Sequence, residues 1–164
     1  MRNGQVKELP LSEAVTHLLE ECRMVLPGIQ ALFGFQLIVV FNPTFQEKLT
    51  STERLLHLSA IALVVISIAM LMAPAAYHRQ KDPEAVTEGF IAIATRLLLY
   101  SMFPLMFAIG LESFLVARVI TNRIPVSLAL AAFLVGICFA LWFLLPRSRK
   151  LQVLLSGNTG RNKT

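Results

Sequence analysis

Charge is scarce in this chain, and its distribution says more than its amount. Only 15% of the 164 residues are Asp, Glu, Lys or Arg, against about 25% in soluble domains. Cysteine is nearly absent too, with two residues. That rules out a disulfide framework, and neither Cys22 nor Cys138 has neighbours at zinc-ligand spacing. The three histidines, His17, His57 and His78, fall in separate segments. None has a second ligand three or four residues away, so no haem or metal site is expected. The chain holds no P-loop, dinucleotide fingerprint, GxSxG elbow or HExxH pair, and no TVGYG filter. Enzymatic chemistry has no foothold: no catalytic residue, no metal and no cofactor are expected.

What remains is apolar. Hydrophobic residues make up 55% of the chain, with a mean hydropathy of +0.66. A single domain of this length cannot bury so much apolar surface in water. Met24–Gln46, Leu55–Tyr77 and Ile124–Pro146 are each 23 residues long and contain no formal charge. Gly89–Ala117 carries only Arg96 and Glu112. About 20 apolar residues in a helix cross a ~30 Å hydrocarbon layer. The expected fold is therefore an all-α membrane protein, one domain over 1–164. Its spans are predicted at about 24–43, 55–77, 89–117 and 124–146, followed by a basic tail over 147–164.

A short amphipathic cytoplasmic helix over 11–25 is expected to precede the first span, with Leu11, Val15, Leu18, Leu19 and Cys22 forming its apolar stripe. It either lies in the membrane interface or extends the first span inward. Pro27 is expected inside a kinked helix, since a restart at Gly28 would leave too few residues to cross. Thr50 to Glu53 has capping-box spacing. Asp82-Pro83-Glu84 reads as the start of the third helix. Pro104 is expected to free the carbonyl of Tyr100.

Eleven of the basic residues (Arg2, Lys7, Arg23, Arg79, Lys81, Arg96, Arg147, Arg149, Lys150, Arg161 and Lys163) share one side in this topology. Lys48, Arg54, Arg118 and Arg123 share the other. Positive charge marks the cytoplasmic side, so both termini are expected there, in a bacterial inner membrane. No cleavable signal peptide is expected. The net charge of +5 then reflects topology and anionic lipid headgroups, with no nucleic-acid partner.

Glu21, Arg23, Gln30, Gln36, Arg96 and Glu112 are the candidates for a polar path. Each also has an ordinary reading. Glu21 and Arg23 would anchor a helix end, Gln30 and Gln36 would hydrogen-bond a neighbouring helix, and Arg96 and Glu112 would reach opposite surfaces. The two glutamines imply a first span largely shielded from lipid. If Glu112 faces the bundle, Arg118 or Arg123 is its expected partner. Ala132, Gly136 and Ala140 form a small-residue seam on the fourth span, inside the chain or between chains.

Three strings resemble a known family: Glu21-x-Arg23-x-x-Leu26-Pro27-Gly28-x-Gln30-x-Leu32-Phe33-x-Phe35, then Ala73-Pro74-x-Ala76-Tyr77-His78-Arg79, then Arg96-Leu97. Together they are similar to an uncharacterised bacterial family of small four-span membrane proteins, a domain of unknown function, over roughly 15–145. The resemblance implies an inner-membrane all-helical protein and lends no activity. Two functions are weighed: a homo-oligomeric path for an ion or small solute, or a non-catalytic accessory or scaffold subunit of a larger membrane complex. The expected partners are membrane lipids, further copies of the chain, and, on the second reading, another membrane protein.

Overall fold

Four long apolar segments without strand-forming alternation give helices wherever the backbone must satisfy its own hydrogen bonds. In the computed structural model, which describes residues 11–81 and 88–148, helix α1 spans Leu11–Val40. A six-residue helix α2, Pro43–Lys48, lies in the connection to α3, Ser51–Lys81. Helix α4 is Glu88–Thr121 and α5 begins at Ile124. Four of these helices are long and apolar enough to cross a membrane: Val15–Val40, Ser51–Gln80, Glu88–Thr121 and Ile124–Arg147. The fold is all-α, with no strand among the described residues.

Pro27 lies inside α1, which is continuous from Leu11. The amphipathic segment therefore extends the first span. The proposed start at Asp82-Pro83-Glu84 lies outside the described residues.

The antiparallel pair α3–α4 shares the most extensive interface and forms the centre. Of their most apolar windows, 28% and 33% are buried, against 11% for α1 and 11% for α5. This corrects the expectation that α1 is shielded: in a single chain most of it is uncovered, because it touches the central pair along one narrow face. That face is marked by buried Val15, Leu18, Ile29 and Gln36.

Packing falls into three apolar layers. Val15 and Leu18 meet Phe90 and Ala94 at one end. Ile29, Val64, Leu71 and Ala108 fill the middle. Phe45, Leu49 and Leu115 close the end where α1 turns into α3 and α4 into α5, called here the loop end. Helix α5 approaches α4 closely at Gly110, where a Cβ would come within 2.5 Å of Val135 Cγ2. Buried Ser127 and Ala131 are the other small residues of α5 in that interface.

The α4–α5 turn is tight. Asn122 takes φ 51°, a left-handed conformation that Asn tolerates better than most residues. Thr121 Oγ1 accepts from the Arg123 amide at 3.3 Å, and Ser127 Oγ donates to the Arg123 carbonyl at 2.9 Å. Near its far end α5 widens into one π-helical turn, Ala140–Leu144, in which the Leu145 amide donates to the Ala140 carbonyl. Pro146 follows immediately; it lacks an N–H and its ring crowds the carbonyl four residues earlier.

Candidate functional site

Helix α3 begins with a reciprocal cap. Glu53 Oε2 accepts from the Thr50 amide and from Thr50 Oγ1, each at 2.9 Å, and the Glu53 amide donates to Thr50 Oγ1 at 3.3 Å. The second carboxylate oxygen of Glu53 takes the Arg118 Nε of α4 at 3.3 Å. Arg118 also donates to Asn122 Oδ1 at 2.7 Å. One turn further along α3, on the same face, is His57. Ten residues beyond that, Ser67 Oγ donates to the Ser101 carbonyl of α4 at 2.7 Å. The α3–α4 seam is thus laced by polar rungs within an otherwise apolar interface.

The rung at His57 is the deepest one bearing ionisable groups. His57 and Gln36 each retain 3% exposure, and the Glu112 side chain keeps 18%. His57 Nδ1 lies 2.9 Å from Glu112 Oε1, and Gln36 Nε2 donates to the same oxygen at 2.9 Å. His57 Nε2 lies 3.1 Å from the Gln36 carbonyl. Phe45 of α2 meets the imidazole edge to face, with ring centroids 5.1 Å apart. Three spans and the connecting helix converge on this one cluster.

Its proton count follows from the acceptors. A backbone carbonyl only accepts, so the Nε2 facing it carries a hydrogen. Nδ1 then faces a carboxylate oxygen, and one proton must sit between them. On the imidazole it makes an ion pair; on the carboxyl it makes a neutral pair. Either way the pair as a whole is uncharged, which makes it tolerable at this depth. Gln36 Oε1, on the amide whose nitrogen holds Glu112, is buried without a donor.

Two cavities meet this end. One of about 200 Å³ has His57 and Glu112 as its polar lining and apolar walls that include Val39, Phe45, Leu115, Val116 and Ile120. An adjoining cavity of about 340 Å³ is polar, lined by Lys48, Thr50, Glu53, Arg118 and Asn122. A third, of about 430 Å³, opens at the opposite end between α1 and α3, where Cys22, Arg23, His78 and Arg79 meet Leu26 and Leu71. No group of three His, Cys, Asp or Glu positioned to hold a metal occurs among the described residues.

The model of a family of unknown function, DUF6328, matches residues 11–146. The chain belongs to that family. No curated protein and no solved structure matches it. Membership agrees with the small four-span architecture and leaves the site to be read from its own chemistry.

Of the polar-path candidates, the structure brings together Gln36 and Glu112, and it does so through His57. Gln36 bonds a neighbouring helix, as its place in the first span suggested. Glu112 faces the bundle, but its partners are His57 and Gln36; Arg118 is engaged by Glu53. Arg23 lines the opposite cavity. Glu21, Gln30 and Arg96 are exposed and join no cluster. Ala132, Gly136 and Ala140 are also exposed, and a Cβ at Gly136 would meet nothing within 4 Å. That seam faces away from the rest of the chain, whose close approach uses Gly110, Ser127 and Ala131.

His57 is the functional residue that sequence reasoning missed. A search for ligands within one helical turn cannot find a partner on another span. A usable signal was present: His57 sits four residues after capping Glu53, on the same face, and is the one histidine within an apolar run.

Proposed function

We propose that this protein is a non-catalytic subunit of a homo-oligomer in the bacterial inner membrane, lining a path for a proton or small solute. The observation that supports it is the His57–Glu112 pair. A charged group in hydrocarbon costs at least ~2.5–3.5 kcal/mol, and such residues mark conduction or relay sites where they persist. Here the pair adjoins a cavity at the loop end, while a second cavity with Arg23, His78 and Arg79 lies at the other.

Between them α3 and α4 are closed by Val64 and Ala108, both 0% exposed, with Ile29 against them. One chain encloses no continuous polar route through that layer, so the path forms where copies meet, and the uncovered faces of α1 and α5 supply the surface. Basic residues favour an orientation with both termini cytoplasmic.

Reconstitution tests this reading. Purified protein in liposomes should carry protons or a small solute under a pH or voltage gradient, and E112Q should lower the rate at least about tenfold, the scale of one lost relay interaction. A monomer in nanodiscs, or no flux at any pH or voltage, would end it.

The second reading, an accessory or scaffold subunit, is favoured by the outward seam of Ala132, Gly136 and Ala140, which would let a partner helix approach closely. A reproducible partner in native-detergent pulldown, lost on G136L, would favour it over a path; self-association alone would remove it.

A further inference from the structure

We propose that the cavity at His57 and Glu112 binds a protonated primary amine with a small apolar body, in exchange for the proton the two side chains share. This names the substrate class of the path proposed above and rests on that site. Two groups that line the cavity suit an ammonium head. Glu112 offers a carboxylate. His57 Nδ1 becomes a bare acceptor once its proton leaves, because Nε2 stays committed to the Gln36 carbonyl. An R–NH₃⁺ group has three N–H donors, enough for the carboxylate of Glu112 and for Nδ1.

The walls select the rest of the ligand. Val39, Phe45, Leu115, Val116 and Ile120 offer no further ligands, whereas a hard metal cation needs six or more oxygens. A volume of about 200 Å³ lies below the ~300 Å³ at which drug-sized sites begin, and suits a body of benzyl or short alkyl size.

Charge balance sets the exchange. With its proton, the pair is neutral; the amine brings one positive charge and the departing proton removes one. No bond other than N–H to acceptor forms or breaks. The adjoining polar cavity provides the exit. The charged groups lining that adjoining cavity are Lys48 on α2, Glu53 on α3 and Arg118 on α4, and the last two are paired with each other; Glu47, Arg54 and Arg123 lie at the same end outside its lining.

Calorimetry on the full chain in nanodiscs, run in two buffers of different ionisation enthalpy, reads binding and proton release together. The probes are benzylammonium, benzyltrimethylammonium and benzyl alcohol. Benzylammonium should bind saturably with release of about one proton per cation. The other two, lacking either the N–H donors or the charge, should bind at least about tenfold more weakly. E112Q, nearly isosteric, should lose both binding and release. V116W, which fills the cavity from its wall and leaves His57 and Glu112 unsubstituted, should lose binding while remaining monodisperse.

Binding without proton release, equal binding of benzyl alcohol, wild-type affinity in both variants, or no binding to the wild type would each overturn the proposal. Proton flux in liposomes without amine binding would remove this inference and leave the path standing. Amine binding without flux of amine or proton would do the reverse.

Discussion

At the scale of single residues, two polar groups at the start of α3 behave very differently under substitution. Thr50 makes a local cap, its hydroxyl bonded to Glu53 within three residues. T50A should cost about 1 kcal/mol, the usual worth of such a cap, as read by reversible unfolding in detergent. His57 works across helices. H57A removes the imidazole that links Glu112 to the Gln36 carbonyl, so its cost should depend on what stands at position 112. A double-mutant cycle of H57A with E112Q should show a coupling of roughly 0.5–3 kcal/mol, the range for residues sharing one network. Additive effects would mean the 2.9 Å contact carries no energy.

This contrast also explains what the sequence could and could not reveal. The Thr50–Glu53 cap was legible because its partners are three residues apart and the motif is written in order. The His57–Glu112–Gln36 cluster was not, because its members sit on three spans and only packing decides which faces meet. Charge made Glu112 conspicuous, while its partner, a histidine with no formal charge, left no gap in the apolar run to draw the eye.

At the scale of elements, the α4–α5 contact turns on one missing side chain. Gly110 lets Val135 seat against the α4 backbone, and valine, stiff at χ1, has little room to yield. G110A should destabilise the protein by about 1–3 kcal/mol through overpacking, and adding V135A should restore most of the loss in the same unfolding measurement. G136A, with open space around it, should change little in the isolated chain. Four-residue spacing puts Ala132, Gly136 and Ala140 on one face of α5; it could not say what lies opposite. The four spans were read correctly for a simpler reason, since length and apolarity are properties of each segment alone. The continuity of α1 through Pro27 follows the same logic: helix length in lipid outweighs one lost hydrogen bond.

At the scale of the molecule, the two outer spans are the open question that assembly answers. Helices α1 and α5 bury little against the central pair, so neighbouring copies or lipid must cover them. Cysteine introduced at Ala132 in a C22A/C138A background should cross-link between copies if α5 faces α5, and the mass in nanodiscs should be a multiple of 18.2 kDa. A cross-link-free monomer would leave α5 to lipid or to a different partner.

The loop end holds a wider consequence. The α1–α3 and α4–α5 connections gather there with the Glu53–Arg118 and His57–Glu112 rungs of the α3–α4 seam. The bundle is built like tongs, joined through the chain at the pivot and held at the tips by apolar contacts, Val15 and Leu18 on Phe90 and Ala94 and Phe143 on Phe103. Spreading the tips would part the apolar layer while the pivot, with its shared proton, kept its shape.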